Sequence, residues 1–213
     1  MKKYELVTEL SKEFFGKTLF RIRALVSFGC VEKGEIGGWI EQEDNLSHEG
    51  KAWVYGEAQV YGEAQVSGAA QVSGAAQVSG EARVSGKAWV SGEARVSGEA
   101  RVSGKARVFG EARVSGEAQV YGEARVFGEA RVFGEAQVYG AAHYITIGPI
   151  GSEGGVLTAF KQADNSILVS RGCFSGTIDE FAEAVRKRHG ETGYAAEYEI
   201  VIKLIEARLA EID

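Results

Sequence analysis

Proline is nearly absent: Pro149 is the only one in 213 residues, and the chain has just two cysteines and three histidines. Cys30 and Cys173 lie far apart and form no CxxC pair, so neither a disulfide framework nor a thiolate zinc site is expected. With so few histidines, and none in the regular part of the chain, no metal and no cofactor is expected. Long apolar runs are missing too, none approaching the ~20 residues of a membrane span. Near the start, Glu5, Glu9, Lys12 and Glu13 fall where a signal peptide needs an unbroken apolar core. The expected setting is a reducing cytoplasm with no membrane partner. Excess positive charge is also lacking. A formal net charge of −6 leaves no broadly basic surface to displace counterions from phosphates, so nucleic acid is not an expected partner.

Glycine, by contrast, occurs 29 times, mostly at one spacing. From Gly50 the chain reads Gly-X-Ala-X-Val-X without insertion or deletion through fifteen hexapeptides to Tyr139. A sixteenth, degenerate copy from Gly140 puts Tyr144 where Val would stand. Ala and Val sit two apart, so in an extended backbone both face one side and the residue between them faces the other. Gly supplies the corner. A helix is excluded, because a period of six matches neither 3.6 nor 3.5 and each Gly would cost a helix about 1 kcal/mol. Three hexapeptides make a coil of eighteen residues, and coils stack at about 4.8 Å. The fold class expected is mainly β, a three-sided parallel solenoid with a small α/β domain after it. Residues 1–38 are expected to form an N-terminal cap, 39–144 the solenoid, and 145–213 the C-terminal domain.

The flanks carry their own signals. Thr18 to Leu25 alternates as a strand, and Gly34 to Ile40 leads into an irregular first coil through Asp44, Asn45 and Leu46. After the repeats, short strands are predicted at Ile145 to Gly148, Gly155 to Phe160 and Ile167 to Ser170. Thr177 and Glu180 form a capping box for a helix that stops at Gly190. A second helix, about Tyr194 to Ile212, carries Tyr198, Val201, Ile205 and Ile212 on one stripe, widened by Ile200, Ile202, Leu204 and Leu209. So broad an apolar face is expected to be buried.

Because the register never slips, residues eighteen apart share a wall. The first wall has Trp53, Gln71, Trp89, Arg107 and Arg125 before its valines, and Lys51, Lys87, Lys105 and Glu123 among the residues after its glycines. Five cations therefore face one anion. The second wall sets three arginines against four glutamates. The third sets Arg83 and Arg101 against Glu63, Glu81, Glu99, Glu117 and Glu135. Trp53, Trp89, Lys87, Lys105, Arg107, Phe109, Arg125 and Phe127 are thus the expected interface, since Trp and Arg dominate binding energy where proteins meet.

The repeat resembles the left-handed parallel β-helix of hexapeptide-repeat proteins, among them the bacterial acyltransferase superfamily. With KGEIGGWI before the array and GPIGSEGG and RGCFSGTIDEF after it, nearly the whole chain resembles uncharacterised hexapeptide-repeat proteins of bacteria, phages and prophages. That resemblance implies left-handedness, a homotrimer and a phage or prophage setting. Transferases of that superfamily use a His as general base and its carbonic anhydrases use three His on zinc, yet the fifteen complete repeats hold no His and no loop interrupts them. No catalytic residue is assigned and no enzyme is expected. A non-catalytic, oligomeric scaffold or binding protein, with itself or another protein as partner, is the favoured reading. One alternative is a small-molecule or nucleotide site in the C-terminal domain, with His143, Ser152 and Arg171 as candidate ligand contacts. Another is a divergent acyltransferase using His143. Cys173 and His189, as thiol and base, form a weaker pairing still.

Overall fold

The computed structural model describes residues 2–140 and 143–210. Its centre is a parallel β-solenoid of about six coils, flanked by an N-terminal β-hairpin and a C-terminal sheet with two helices. Two long strands, β1 (Tyr4–Phe14) and β2 (Lys17–Ala24), pair antiparallel, and β2 pairs antiparallel with β3 (Ile36–Ile40). Fifteen two-residue strands follow at intervals of six, from β4 (Trp53–Val54) to β18 (Gln137–Val138).

Each repeat strand inside the array pairs with those eighteen residues before and after it, which yields three sheets. Trp89 and Val90 lie level with Gln71 and Val72 on one side and with Arg107 and Val108 on the other. Between coils the strand bonds recur at the same positions: Arg95 N–H donates to the Ala112 carbonyl at 2.9 Å and Ser97 N–H to that of Val114 at 2.9 Å. The inward alanine and valine of each of the fifteen repeats, Ala52 and Val54 through Ala136 and Val138, are buried and form one continuous core. Burying a Val side chain is worth about 1.5–3 kcal/mol, so the repeated pair supplies the rod's main stabilisation.

Within the stack of coils most corner glycines are required twice over. Gly80 has φ of +67°, which a β-carbon disfavours, and such an atom would lie 2.9 Å from the Gly98 nitrogen in the coil above. The corners can stack only without side chains.

The N-terminal hairpin extends the second wall, because β3 pairs in parallel with Gln59 and Val60. Ile40 and Leu46 take Val positions in the first, irregular coil, Leu46 bridging to Val66. Buried Asn45 replaces the missing regularity: its amide donates to the Gly62 and Ala64 carbonyls, while its oxygen accepts from the Glu41 and Gln42 amides. Strand β1 was not legible in the sequence. A register shift between Val7 and Ser11 breaks its alternation, and as an edge strand it buries only Tyr4 and Val7.

At the other end β19 (Tyr144–Ile150), β20 (Gly155–Lys161), β21 (Ile167–Arg171) and β22 (Phe174–Thr177) form an antiparallel sheet. The fourth strand was not predicted. Phe160 and Tyr144 join the solenoid core, with Phe160 edge-on to Phe133 at 5.0 Å, so this sheet closes the last coil. A second core lies between the sheet and helices α1 (Ile178–His189) and α2 (Gly193–Ala210). Thr177 and Glu180 form the expected capping box, and Gly190 ends α1. On α2 the buried stripe is Ala195, Tyr198, Val201, Ile205 and Leu209; Ile212 falls outside the described residues. The expectation that the whole apolar face is buried fails, since Ile200 and Leu204 are 68% and 50% exposed. One sheet packs against one stripe of the helix and leaves the opposite side uncovered.

Candidate functional site

Two regions gather the candidate residues. On the first wall, parallel pairing sets Trp53, Gln71, Trp89, Arg107 and Arg125 in one outward column. Trp53 must be removed from the expected interface, for it is completely buried. Phe28 meets its ring edge-on at 5.4 Å and Tyr4 at 6.2 Å, because the N-terminal hairpin and its following loop fold over the first coil. The indole N–H of Trp53 finds no acceptor among the described residues. From its sequence position alone Trp53 looks like Trp89; only the cap distinguishes them.

The rest of the column is open. Trp89 is 42% exposed, donates its indole N–H to Ser73 Oγ at 3.1 Å, and lies 5.7 Å from the Arg107 guanidinium. Ala69, Gln71, Lys87, Trp89, Lys105 and Arg107 line a shallow groove along this face. Beside it, Phe109 and Phe127 stack at 5.4 Å with planes 15° apart, and both remain exposed. Lys105 pairs with Glu123 at 2.8 Å, but both side chains are solvated and such pairs contribute little. Lys87, Lys105, Arg107 and Arg125 are all exposed, as are the five glutamates of the third wall. The charge asymmetry read from the repeat is a surface property.

The C-terminal candidates divide. Ser152 and Arg171 line one cavity of about 260 Å³, together with Glu153, Phe181, Arg188 and Tyr198. His143 lies elsewhere, buried in the last coil against Tyr139 and bordering a separate depression with Lys161 and Gln162. Burial pushes its imidazole below the usual range. The structure therefore does not bring His143, Ser152 and Arg171 into one site. Cys173 and His189 do line the Ser152 and Arg171 cavity. His48, the third histidine, stacks on Tyr4 at 4.3 Å in the N-terminal cap.

Sequence reasoning missed Glu153 and Arg188. The Arg188 guanidinium donates to Glu153 at 2.7 Å, and Arg171 approaches the same carboxylate at 3.8 Å. The available signal was the GSEG turn, together with an arginine one turn beyond the buried Phe181 and Val185 on α1. The turn is locked by close approach: Gly151 has φ of +69°, and a β-carbon there would lie 2.1 Å from the Tyr198 hydroxyl. Glu197 accepts from the Gly151 amide at 3.0 Å.

Fold and surface together define a three-sided parallel β-solenoid protein with unlike walls and a C-terminal α/β cap. A family model described as the YdcK β-solenoid repeat matches residues 76–92, about one coil. Among curated proteins none matches the chain. No helix among the described residues is long and apolar enough to cross a membrane.

Proposed function

We propose that the protein is a non-catalytic, oligomeric scaffold in which the basic, aromatic first wall of one copy meets the acidic third wall of the next. The observation that carries this reading is the exposed set Trp89, Arg107, Phe109 and Phe127 among four uncompensated or solvated cations, on a rod whose third wall offers a glutamate in every coil. Contiguous exposed aromatics of this kind mark contact surfaces. Opposite charge on two different walls favours a heterologous contact, which closes into a ring when its rotation allows. A trimer is the ring size implied by the resemblance to hexapeptide-repeat proteins.

Light scattering tests it. A discrete oligomer, three chains in mass, is expected at low salt, and Lys105→Glu combined with Arg107→Glu should convert it to monomer while circular dichroism stays unchanged. A wild-type monomer at tens of micromolar would overturn the proposal. A divergent acyltransferase would instead turn over acetyl-CoA and lose that activity on His143→Ala. No turnover is expected, because His143 is buried with its ring against Tyr139.

A further inference from the structure

We infer that the C-terminal cavity is a binding site for a small aromatic molecule carrying one anionic group, and that Glu153 occupies the anion position when the site is empty. The cavity has an apolar floor from Phe174, Phe181, Val185 and Tyr198, and a charged mouth from Arg171, Arg188 and Glu153. Arg171 is the decisive residue. Its side chain is nine-tenths buried, yet its guanidinium is poorly satisfied: one terminal nitrogen donates to the Ile150 carbonyl at 2.9 Å, the other stands 3.8 Å from Glu153, and Nε has no partner among the described residues. Leaving a buried cation short of partners is costly, and a carboxylate or phosphate aimed at it recovers that cost.

Space for the guanidinium is built into the fold. A β-carbon on Gly155 would lie 2.6 Å from an Arg171 terminal nitrogen, so glycine there keeps the arginine at the wall of the cavity. Arg188, 67% exposed, supplies a second guanidinium from α1. Glu153 sits between the two on the 151–154 turn, itself 59% exposed. A carboxylate held at the mouth by two arginines, and free to swing into solvent, stands where a ligand's own anion would lie. At about 260 Å³ the cavity is at or below the small end of ordinary ligand sites, which suits a compact ring rather than a nucleotide. This inference is independent of the wall contact proposed above.

Titration of the ¹⁵N-labelled full chain with benzoate, phenyl phosphate, benzamide and inorganic phosphate tests it. Benzoate or phenyl phosphate should shift amides around Arg171, Cys173 and Tyr198, and the tighter of the two identifies the anion. Arg188→Ala, a solvated position that leaves the fold intact, should weaken binding at least tenfold. Glu153→Gln should tighten it severalfold by removing the internal competitor. Equal binding of uncharged benzamide would overturn the anionic requirement. Inorganic phosphate binding as tightly as phenyl phosphate would overturn the role of the apolar floor, and no response to any probe at millimolar concentration would overturn the site itself. An unchanged affinity in both variants would show that the Glu153 and Arg188 pair is structural only.

Discussion

The solenoid and the C-terminal domain solve the same problem of burial by opposite means. In the solenoid one six-residue instruction is repeated, the inward Ala and Val of every copy are buried, and individuality is confined to the outward positions. In the C-terminal domain no two contacts are alike: Gly151 admits the Tyr198 hydroxyl, Gly155 admits Arg171, and Thr177 caps α1. The difference teaches where each region can tolerate change. A periodic rod transmits the same constraint to every coil but leaves its surface free. The irregular domain tolerates less at its surface, because the loops that carry its polar groups also shape its cavity.

The sharpest way to break the comparison is at a corner. Gly80→Ala forces a β-carbon to within 2.9 Å of the next coil's backbone at a positive φ, and should cost roughly 2–5 kcal/mol in urea unfolding. Gly128→Ala shares the positive φ but meets nothing within 4 Å, so only about 1–2 kcal/mol is expected. Equal losses would show that stacking contributes nothing to the requirement for glycine. Next in size is Val96→Ala in the middle of the core, expected to cost about 2 kcal/mol, the transfer of its lost methyl groups plus a cavity. Thr177→Ala, which removes the α1 cap, should cost about 1 kcal/mol. Its effect should appear as faster hydrogen exchange in α1, with the central coils unchanged.

A further effect, read as a dependence on pH, concerns the N-terminal cap. Lys3 is buried, donates to the Ala52 carbonyl at 2.8 Å and lies over Phe28, and burial lowers its ammonium to about 8. The unfolded chain then binds more protons between pH 8 and about 10.5, so stability must rise with pH across that window. Tyr4 acts oppositely above pH 10, since burial raises its phenol well above the usual value. Urea midpoints should therefore increase from pH 7 to 9.5, and Lys3→Met should flatten the increase. A midpoint that falls over this range in wild type would refute the assignment.

Much of the rod was legible because its signal is redundant. Fifteen copies set the wall of every outward residue, and pairing of Trp89 with Gln71 and Arg107 follows from an eighteen-residue count. What was not legible depends on a single tertiary event each time. Trp53 is buried because the loop around Phe28 folds onto it, and no periodicity announces that. Trp39 likewise lies between Lys12 and Arg21, with its indole N–H on Glu57, although β1 gives no clear strand pattern. In the C-terminal domain Ser152 and Arg171 were identified from their glycine-rich surroundings, whereas Glu153 and Arg188 meet only because a turn and a helix end converge.

Disulfide trapping between walls tests the central claim most directly. In a Cys30→Ser, Cys173→Ser background, Lys87→Cys lies on the first wall, and Glu99→Cys on the third and Glu93→Cys on the second lie in the same coil. A ring whose axis runs along the rods keeps coils level, so chains carrying Lys87→Cys with Glu99→Cys should crosslink between copies into a ladder ending at three. Crosslinking through Glu93→Cys instead, or by Lys87→Cys alone, would contradict the contact of basic wall with acidic wall.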